Sequence, residues 1–194
     1  ALGTQATRVR QSSEKVRIKG AEMQYVRFRQ AIVAAGSHPV PLPQAPFGKE
    51  GRIMSSTGAL QLAEVPKALL VVGGGYTGLE LGTVYAALGS RVTLVEAGPS
   101  LLPGVDPDLV KPLARGLQER FAAIHFETRV ARIEERESGV EVAFEGRGPD
   151  GKQRFDRVLV AIGRRPNTDD LGLENTRVET DERGCSRGHA QQRT

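Results

Sequence analysis

Three glycines carry the spacing of a phosphate-binding turn. Gly73, Gly75 and Gly78 follow the apolar residues 69–72 in the pattern G-x-G-x-x-G, and a helical pattern of apolar residues comes directly after them. In this pattern the first glycine makes the tight turn out of a buried strand, the second leaves room for a pyrophosphate, and the third lets the helix pack closely on the sheet. The unpaired N–H groups at the helix start then face the phosphates. The spacing therefore predicts a dinucleotide site.

Glu96 supplies the carboxylate that the same fingerprint requires at the end of the next strand. It ends the alternating residues 91–95 and follows Gly78 at close to the expected spacing of about 20 positions. A carboxylate there accepts hydrogen bonds from the adenosine ribose and repels a 2′-phosphate. Because residues 97–100 include no arginine to receive such a phosphate, the sequence predicts NAD rather than NADP. The alternative is an ordinary strand–helix–strand turn with a solvated glutamate.

Composition limits the class of protein. The chain has 194 residues, 39% of them hydrophobic, which is room for one full domain and part of another. No apolar run approaches the length of a membrane span and no secretory signal is visible, so we expect no membrane partner. The net charge of +4 is spread along a chain with 5% aromatic residues, a pattern that argues against nucleic acid. The single cysteine, Cys185, rules out a disulfide within the chain and favours a cytoplasmic location.

The hydrophobic pattern predicts an α/β domain with a central parallel sheet followed by an antiparallel meander. Asp106 followed by proline marks the start of a helix, and Leu109, Leu113, Leu117 and Phe121 repeat at four-residue spacing as its predicted buried face. The predicted strands are short apolar or alternating runs, namely residues 69–72, 91–96, 124–126, 130–134, 140–144 and 155–162.

The first 65 residues carry weaker signals. Residues 7–9 and 16–18 alternate and are compatible with short strands. Residues 25–35 predict a strand that becomes fully apolar toward its end. Four prolines within residues 39–47 predict an extended linker, and residues 55–60 predict the start of a short helix.

Five stretches together resemble the pyridine nucleotide-disulfide oxidoreductases, and within that family the dihydrolipoamide dehydrogenases. The stretches are residues 31–39 (AIVAAGSHP), 56–60 (STGAL), 73–82 with Tyr85, 163–167 (GRRPN) and 192–194 (QRT). Their order and spacing match the family over roughly residues 25–194. The resemblance implies an FAD- and NAD-dependent oxidoreductase, of which this chain would hold a Rossmann-like NAD(H)-binding domain.

The resemblance also implies roles for particular residues. Glu96 would hold the adenosine ribose, Val130 would pack by the adenine, Gly163 would lie on the nicotinamide side, and Glu80 would lie near the flavin ring. The residues implied at the pyrophosphate and nicotinamide are Gly73, Gly74, Gly75, Tyr76, Thr77, Gly78, Leu79 and Glu80. Those implied at FAD are Ala35, Gly36 and Ser37. The alternatives are a plain helix carboxylate for Glu80 and an exposed turn residue for Tyr76.

The chain also departs from the family pattern. The family has an earlier FAD-binding G-x-G-x-x-G, a C-x-x-x-x-C cysteine pair and a dimer domain with a catalytic histidine–glutamate pair, and none of these occurs in the 194 residues. We therefore expect the chain alone to be inactive. The predicted organisation is a remnant of an FAD-binding domain over 1–45, a linker over 46–65, the NAD(H)-binding domain over 66–183, and the start of a return to the FAD domain at 184–194.

The resemblance implies the reaction of a whole enzyme, in which dihydrolipoamide and NAD⁺ give lipoamide and NADH. Its implied partners are the lipoyl domains of 2-oxoacid dehydrogenase complexes and a second copy of the enzyme. Two alternatives stay open, namely a non-catalytic NAD-binding or assembly module, and the equivalent domain of an NADH oxidase or a glutathione reductase-like flavoenzyme. His38, His125 and His189 fall in no catalytic motif of the family, and we expect no metal site.

Overall fold

The chain divides into two compact units. One is Pro39–Gly163, and the other combines Ala1–His38 with Arg164–Thr194. A computed structural model describes residues 5–10, 15–19, 24–27, 32–47, 51–188 and 190. Its helices are α1 (Ser56–Ala59), α2 (Tyr76–Ala87) and α3 (Pro107–Arg120), with one 3₁₀ turn at Leu173–Asn175.

The strands of the described residues are short. In chain order they are β1 (Gln5–Arg10), β2 (Lys15–Lys19), β3 (Gln24–Arg27), β4 (Ser37–Pro39), β5 (Ile53–Met54), β6 (Ala68–Val72), β7 (Arg91–Val95), β8 (Ala123–His125), β9 (Thr128–Arg136), β10 (Gly139–Gly146), β11 (Lys152–Phe155), β12 (Arg157–Val160) and β13 (Arg164–Pro166). β1, β2 and β3 form an antiparallel meander, and β4 pairs with β13. The short strands predicted over residues 7–9 and 16–18 are confirmed as parts of β1 and β2.

The parallel sheet of the unit Pro39–Gly163 determines where a ligand could bind. Its strand order is β5-β12-β6-β7-β8, and neighbouring strands are parallel. From β6 the chain runs through α2 to β7 and through α3 to β8, and it later returns to the other side of β6 as β12. The order therefore reverses between β6 and β12. In open α/β sheets, ligands bind at the carboxyl ends of the strands beside such a reversal.

Two layers cover the faces of this sheet. Successive side chains of β6 point to opposite faces, so that Leu69 and Val71 join a core with the helices while Leu70 and Val72 join a core with the meander β9–β11. The helix-side core includes Ala59, Leu79, Tyr85, Leu117 and Phe121. The meander-side core includes Val130, Ile133, Val140, Val142 and Phe155. The predicted Rossmann-like α/β class is confirmed.

Helix α3 buries only part of the predicted face, since Leu117 and Phe121 are buried but Leu109 and Leu113 are not. Leu109 is 69% exposed and Leu113 is 40% exposed, whereas Val110 and Leu117 are buried. A step of four residues overshoots one turn by about 40°, so repeated steps of four leave the buried stripe. The observed stripe mixes steps of four and three, through Val110, Ala114, Leu117 and Phe121.

No helix in the described ranges is both long and apolar enough to cross a bilayer.

The predicted strand over residues 25–35 is only partly correct. Its beginning falls in β3, residues 28–31 lie outside the described residues, and residues 32–35 form no strand. Ile32 is 96% exposed. A fully apolar strand is stable when both faces are covered, and no strand in the described part of the chain pairs with residues 32–35.

The predicted strand over residues 155–162 is divided in the structure into β11 and β12. Asp156 lies at the break, where its backbone N–H donates to the Ala68 carbonyl at 2.9 Å. Its carboxylate in turn accepts the N–H of Ala68 at 2.8 Å. The chain therefore leaves the meander at Phe155 and joins the parallel sheet at Arg157, because Asp156 pairs with the first residue of β6.

The segment 39–65 packs more closely than its prolines predict. Leu42 and Ala45 form an isolated antiparallel bridge, and both are buried. β5 adds an edge strand to the parallel sheet through Ile53 and Met54. Ala59 of α1 is fully buried in the helix-side core. Much of the stretch for which a linker was expected is therefore part of the packed unit.

Candidate nucleotide site

The glycine turn, residues 73–75, connects β6 to α2 at the carboxyl edge of the sheet. The Gly73 N–H donates to the Val95 carbonyl at 2.9 Å, and Gly73 has φ of 109°. A Cβ on this residue would lie 2.5 Å from the Ala161 carbonyl oxygen. Both the backbone conformation and the close approach of the residue that follows β12 therefore require glycine. The turn lies beside the reversal of strand order, as the fingerprint predicts.

Gly75 is the N-cap of α2, and the space beside it is open. Its φ and ψ are −78° and 174°, and the helix has no side-chain cap. A Cβ on Gly75 would have no atom within 4 Å. The first helical hydrogen bond runs from the Leu79 N–H to the Gly75 carbonyl, which leaves the N–H groups of residues 76–78 without an acceptor inside the helix. The turn thus offers donors, the positive end of a helix dipole and room for an anion.

Gly78 lies where α2 packs against the glycine turn and β6. A Cβ there would collide with the Gly73 carbonyl oxygen and would lie 3.2 Å from Val71 Cγ1. The predicted role of the third glycine, close packing of helix on strand, agrees with this contact.

Glu96 follows β7 and reaches back to the glycine turn. Its Oε2 accepts the Gly74 N–H at 2.6 Å, and its Oε1 accepts the Gly98 N–H at 2.7 Å. A carboxylate offers about four acceptor positions, so each oxygen keeps capacity for a further donor such as a ribose hydroxyl. The sequence predicted the carboxylate at this edge but not its hydrogen bonds within the chain.

The first turns of α2 place the remaining predicted residues in different environments. Tyr76 is 67% exposed, Thr77 is half-buried and Leu79 is buried in the helix-side core. Glu80 is exposed and forms no ion pair with any residue that the structure describes. Tyr76 and Glu80 are therefore accessible near the helix start, whereas Leu79 supports the turn from within the core.

Val130 lies on β9, and Gly163 lies in the loop after β12 of the same unit. Val130 is 6% exposed in the meander-side core, and its carbonyl accepts the side-chain N–H of Gln44 at 2.7 Å. Gly163 is exposed just beyond the carboxyl end of β12, and its carbonyl accepts the Val40 N–H at 3.0 Å. The place of Val130 beside an adenine and that of Gly163 beside a nicotinamide stay predictions.

The predicted FAD-contacting residues lie in the other unit, at the start of β4 and directly before it. Gly36 has φ of 73°, and its carbonyl accepts the backbone N–H of Asn167 at 3.0 Å. The Asn167 side chain donates to the Ala35 carbonyl at 3.0 Å, and Arg164 donates to the Ser37 hydroxyl at 2.8 Å. Arg164 and Asn167 were not predicted as site residues, although both belong to the stretch 163–167 that carried the resemblance.

Metal binding finds no support among the residues that the structure describes, where no group of three or more histidine, cysteine or acidic side chains could hold an ion. His125 lies on the edge strand β8, and the exposed His38 pairs with the Asn167 side chain at 2.7 Å. His189 lies outside the described residues.

Comparison with known proteins identifies the family of this chain. A family model described as pyridine nucleotide-disulphide oxidoreductase matches residues 1–194. The dihydrolipoyl dehydrogenase of Staphylococcus aureus is 44% identical over 171 residues, which are 88% of this chain and 36% of that protein. The dihydrolipoyl dehydrogenase of Vibrio cholerae is 46% identical over 170 residues, which are 87% of this chain and 35% of that protein. The chain thus spans about a third of the length of these relatives.

Solved structures show the same fold. The HOCl-induced flavoprotein disulfide reductase of Escherichia coli has a TM-score of 0.77 at 29% identity, over 90% of this chain and 39% of that one. The water-forming NADH oxidase of Lactobacillus brevis, solved with NADH, has a TM-score of 0.75 at 20% identity, over 94% of this chain and 41% of that one. The second likeness concerns the fold alone. The predicted resemblance to an oxidoreductase family is confirmed.

Proposed function

The chain belongs to the pyridine nucleotide-disulphide oxidoreductases, and from this premise we propose that it holds the NAD(H)-binding domain of an FAD-dependent disulfide oxidoreductase of the dihydrolipoamide dehydrogenase type. The compact unit Pro39–Gly163 contains the glycine turn, α2 and Glu96. The domain limits at residues 66 and 183 stay predictions. The reaction proposed for the whole enzyme is NAD⁺ reduction by dihydrolipoamide.

The observation that carries this proposal is the uncapped start of α2. Gly75 leaves open space beside three N–H groups that have no acceptor within the helix. A pyrophosphate would supply the missing acceptors and would complement the helix dipole. Glu96 ends the neighbouring strand β7 and has acceptor capacity left for a ribose. The residues present therefore fit a dinucleotide.

The proposed task of this chain is binding and orientation. When bound, the nicotinamide supplies hydride exchange with a flavin. The N–H groups of residues 76–78 would hold the pyrophosphate, Glu96 would hold the ribose, and the exposed Tyr76 and Glu80 would lie toward the reacting rings. In the other unit, Ala35, Gly36 and Ser37 are proposed to contact FAD in the whole enzyme, because the stretch 31–39 resembles a segment of the family that does so.

Calorimetric titration of the purified chain with NADH and with NADPH tests the proposal. We expect NADH to bind and NADPH to bind at least about tenfold more weakly, because Glu96 repels a 2′-phosphate and residues 97–100 contain no arginine. Equal or tighter binding of NADPH would contradict the proposed nucleotide preference.

A matched pair of variants locates the site. Gly75→Ala places a methyl group where the pyrophosphate must approach, so we expect it to abolish detectable NADH binding without loss of thermal stability. Gly116→Ala adds the same methyl to open space beside α3, and we expect it to bind NADH like the parent chain. Unchanged binding by Gly75→Ala would remove the main support for the proposal.

Three further points belong to the proposal. The alternatives, a non-catalytic NAD-binding or assembly module and the equivalent domain of an NADH oxidase or glutathione reductase-like enzyme, share the same nucleotide site and differ in the rest of the protein. Lipoyl domains and a second copy of the enzyme are the proposed partners. A cytoplasmic location is proposed from the single cysteine.

A further inference from the structure

We propose that Glu96 is a positioning residue that braces the glycine turn, in addition to accepting the ribose hydroxyls. This inference rests on the proposed NAD(H) site. The two carboxylate oxygens of Glu96 accept one backbone N–H each, from Gly74 at 2.6 Å and from Gly98 at 2.7 Å. One side chain thus joins the turn before α2 to the turn after β7.

Gly74 is held through both of its backbone groups. Its N–H donates to Glu96, and its carbonyl accepts the Leu102 N–H at 3.0 Å. A Cβ on Gly74 would lie 2.9 Å from Leu101 Cδ2 and 3.1 Å from Glu96 Oε2, so both side chains are packed directly against this residue. Leu101 is 1% exposed. The loop after β7 therefore packs against Gly74 and hydrogen-bonds to both of its backbone groups.

Leu102 shows that this loop is tightly specified. Its φ is 49°, in the left-handed region that leucine rarely adopts. Such a conformation persists when the surroundings determine it. Here the hydrogen bond from Leu102 to Gly74 and the burial of Leu101 supply that constraint.

The brace affects phosphate binding because Gly74 immediately precedes Gly75. Hydrogen bonds to a carboxylate are stronger than those between neutral groups, and they order the turn before a ligand arrives. Without Glu96 a ligand would have to order the turn itself, at a cost in affinity. The ribose end and the pyrophosphate end of the site therefore depend on the same side chain.

The direction in which Glu96→Ala changes the affinity for one ligand separates this role from ribose binding alone. The ligand is an NAD analogue whose adenosine ribose lacks both hydroxyls, so that Glu96 has no ribose group to contact. If Glu96 acts only through the ribose, Glu96→Ala leaves the affinity for this analogue unchanged, or raises it because a negative charge near the pyrophosphate is removed. If Glu96 braces the turn, Glu96→Ala lowers that affinity, and we expect a loss of about tenfold.

The experiment compares the parent chain, Glu96→Ala and Glu119→Ala with NAD⁺ and with the dideoxy analogue, by calorimetry well below the melting temperature. Glu119→Ala removes the same charge from the exposed last turn of α3, at the opposite edge of the sheet, and should leave both affinities unchanged. Weaker binding of both ligands by Glu96→Ala supports the proposal. Weaker binding of NAD⁺ alone, or of neither, overturns it.

A second readout needs no nucleotide and separates failure of the brace from failure of the NAD site. Amide hydrogen exchange by NMR should show protected Gly74 and Gly98 N–H groups in the parent chain and at least about tenfold faster exchange in Glu96→Ala. Equal protection in both chains overturns the brace. If the parent chain fails to bind NAD⁺ but Glu96→Ala still loses this protection, the proposed function is overturned and Glu96 is left as a support of the turn only.

Discussion

Gly75 and Gly78 are three residues apart, and a methyl group would have a different consequence at each. The Cβ position of Gly75 faces open space, so a methyl group there would meet only the proposed ligand. The Cβ position of Gly78 overlaps the Gly73 carbonyl oxygen, so its constraint comes from the fold. We therefore expect Gly78→Ala to lower the free energy of unfolding by about 1–3 kcal/mol, because α2 must move away from β6. Chemical denaturation measures this, with Gly75→Ala as the control of near-parent stability. Parent-like stability of Gly78→Ala would contradict the close packing.

At the scale of single residues, the sequence predicted the part of the candidate site that has a local signature. Gly73, Gly75 and Gly78 lie within six consecutive residues, and Glu96 follows at the end of the next strand, so their spacing is visible along the chain. The hydrogen bond from Leu102 to Gly74 spans two loops and has no such signature. Long-range contacts of this kind become visible only when the fold brings the loops together.

At the scale of whole elements, a buried hydrogen bond joins α1 and α2. Tyr85 of α2 is 1% exposed, and its hydroxyl donates to the Ala59 carbonyl of α1 at 2.8 Å. Tyr85→Phe leaves that buried carbonyl without its partner and should lower the free energy of unfolding by about 1–2 kcal/mol. Tyr76→Phe, at an exposed position, should change stability little. Chemical denaturation of both variants at neutral pH tests this, and equal stability of the two would contradict it.

The same tyrosine gives a pH dependence with a definite sign. Burial raises the pKa of Tyr85 above its ordinary value of 10.0, because the charged phenolate is disfavoured in the core. Tyr85 therefore contributes its full stability below about pH 10 and loses it as the pH rises through the folded-state pKa. The stability difference between the parent chain and Tyr85→Phe should shrink as the pH is raised above 10. A difference that stays constant over this range would argue against burial of the phenol.

Elements were predictable where their pattern is short-range. β6, α2 and β7 follow from an apolar run, a glycine turn and a second run, and the structure contains all three. The division between β11 and β12 depends on Asp156 pairing with Ala68, residues that are 88 positions apart. The buried face of α3 likewise depends on what the sheet presents to it, since Leu109 and Val110 are both apolar and only Val110 is buried. The division of the strand and the buried face of the helix were therefore set by contacts with residues distant in sequence.

At the scale of the whole molecule, nucleotide binding and disulfide chemistry require different parts. The glycine turn and Glu96, which are proposed to bind the nucleotide, lie along the consecutive elements β6, α2 and β7 of the unit Pro39–Gly163. Oxidation of a dithiol through a protein disulfide requires two cysteines, because exchange proceeds through a mixed disulfide that a second thiol resolves. This chain has one cysteine, Cys185, which is exposed and free. On the proposed function, the chain would therefore bind NAD(H) without oxidising a dithiol through a disulfide of its own.

We therefore expect the purified chain to produce no NADH from dihydrolipoamide and NAD⁺, and to carry little or no FAD. The assay follows NADH absorbance over a range of chain concentrations, with the Staphylococcus aureus dihydrolipoyl dehydrogenase as the positive control. Flavin absorbance of the same preparation measures bound FAD, and NADH calorimetry shows that the chain is folded and competent to bind. Cys185→Ser serves as the matched variant, because it removes the single thiol. NADH formation in proportion to chain concentration, from a preparation free of full-length enzyme, would contradict the prediction, and persistence of that rate in Cys185→Ser would show that the electrons take a path without a protein disulfide.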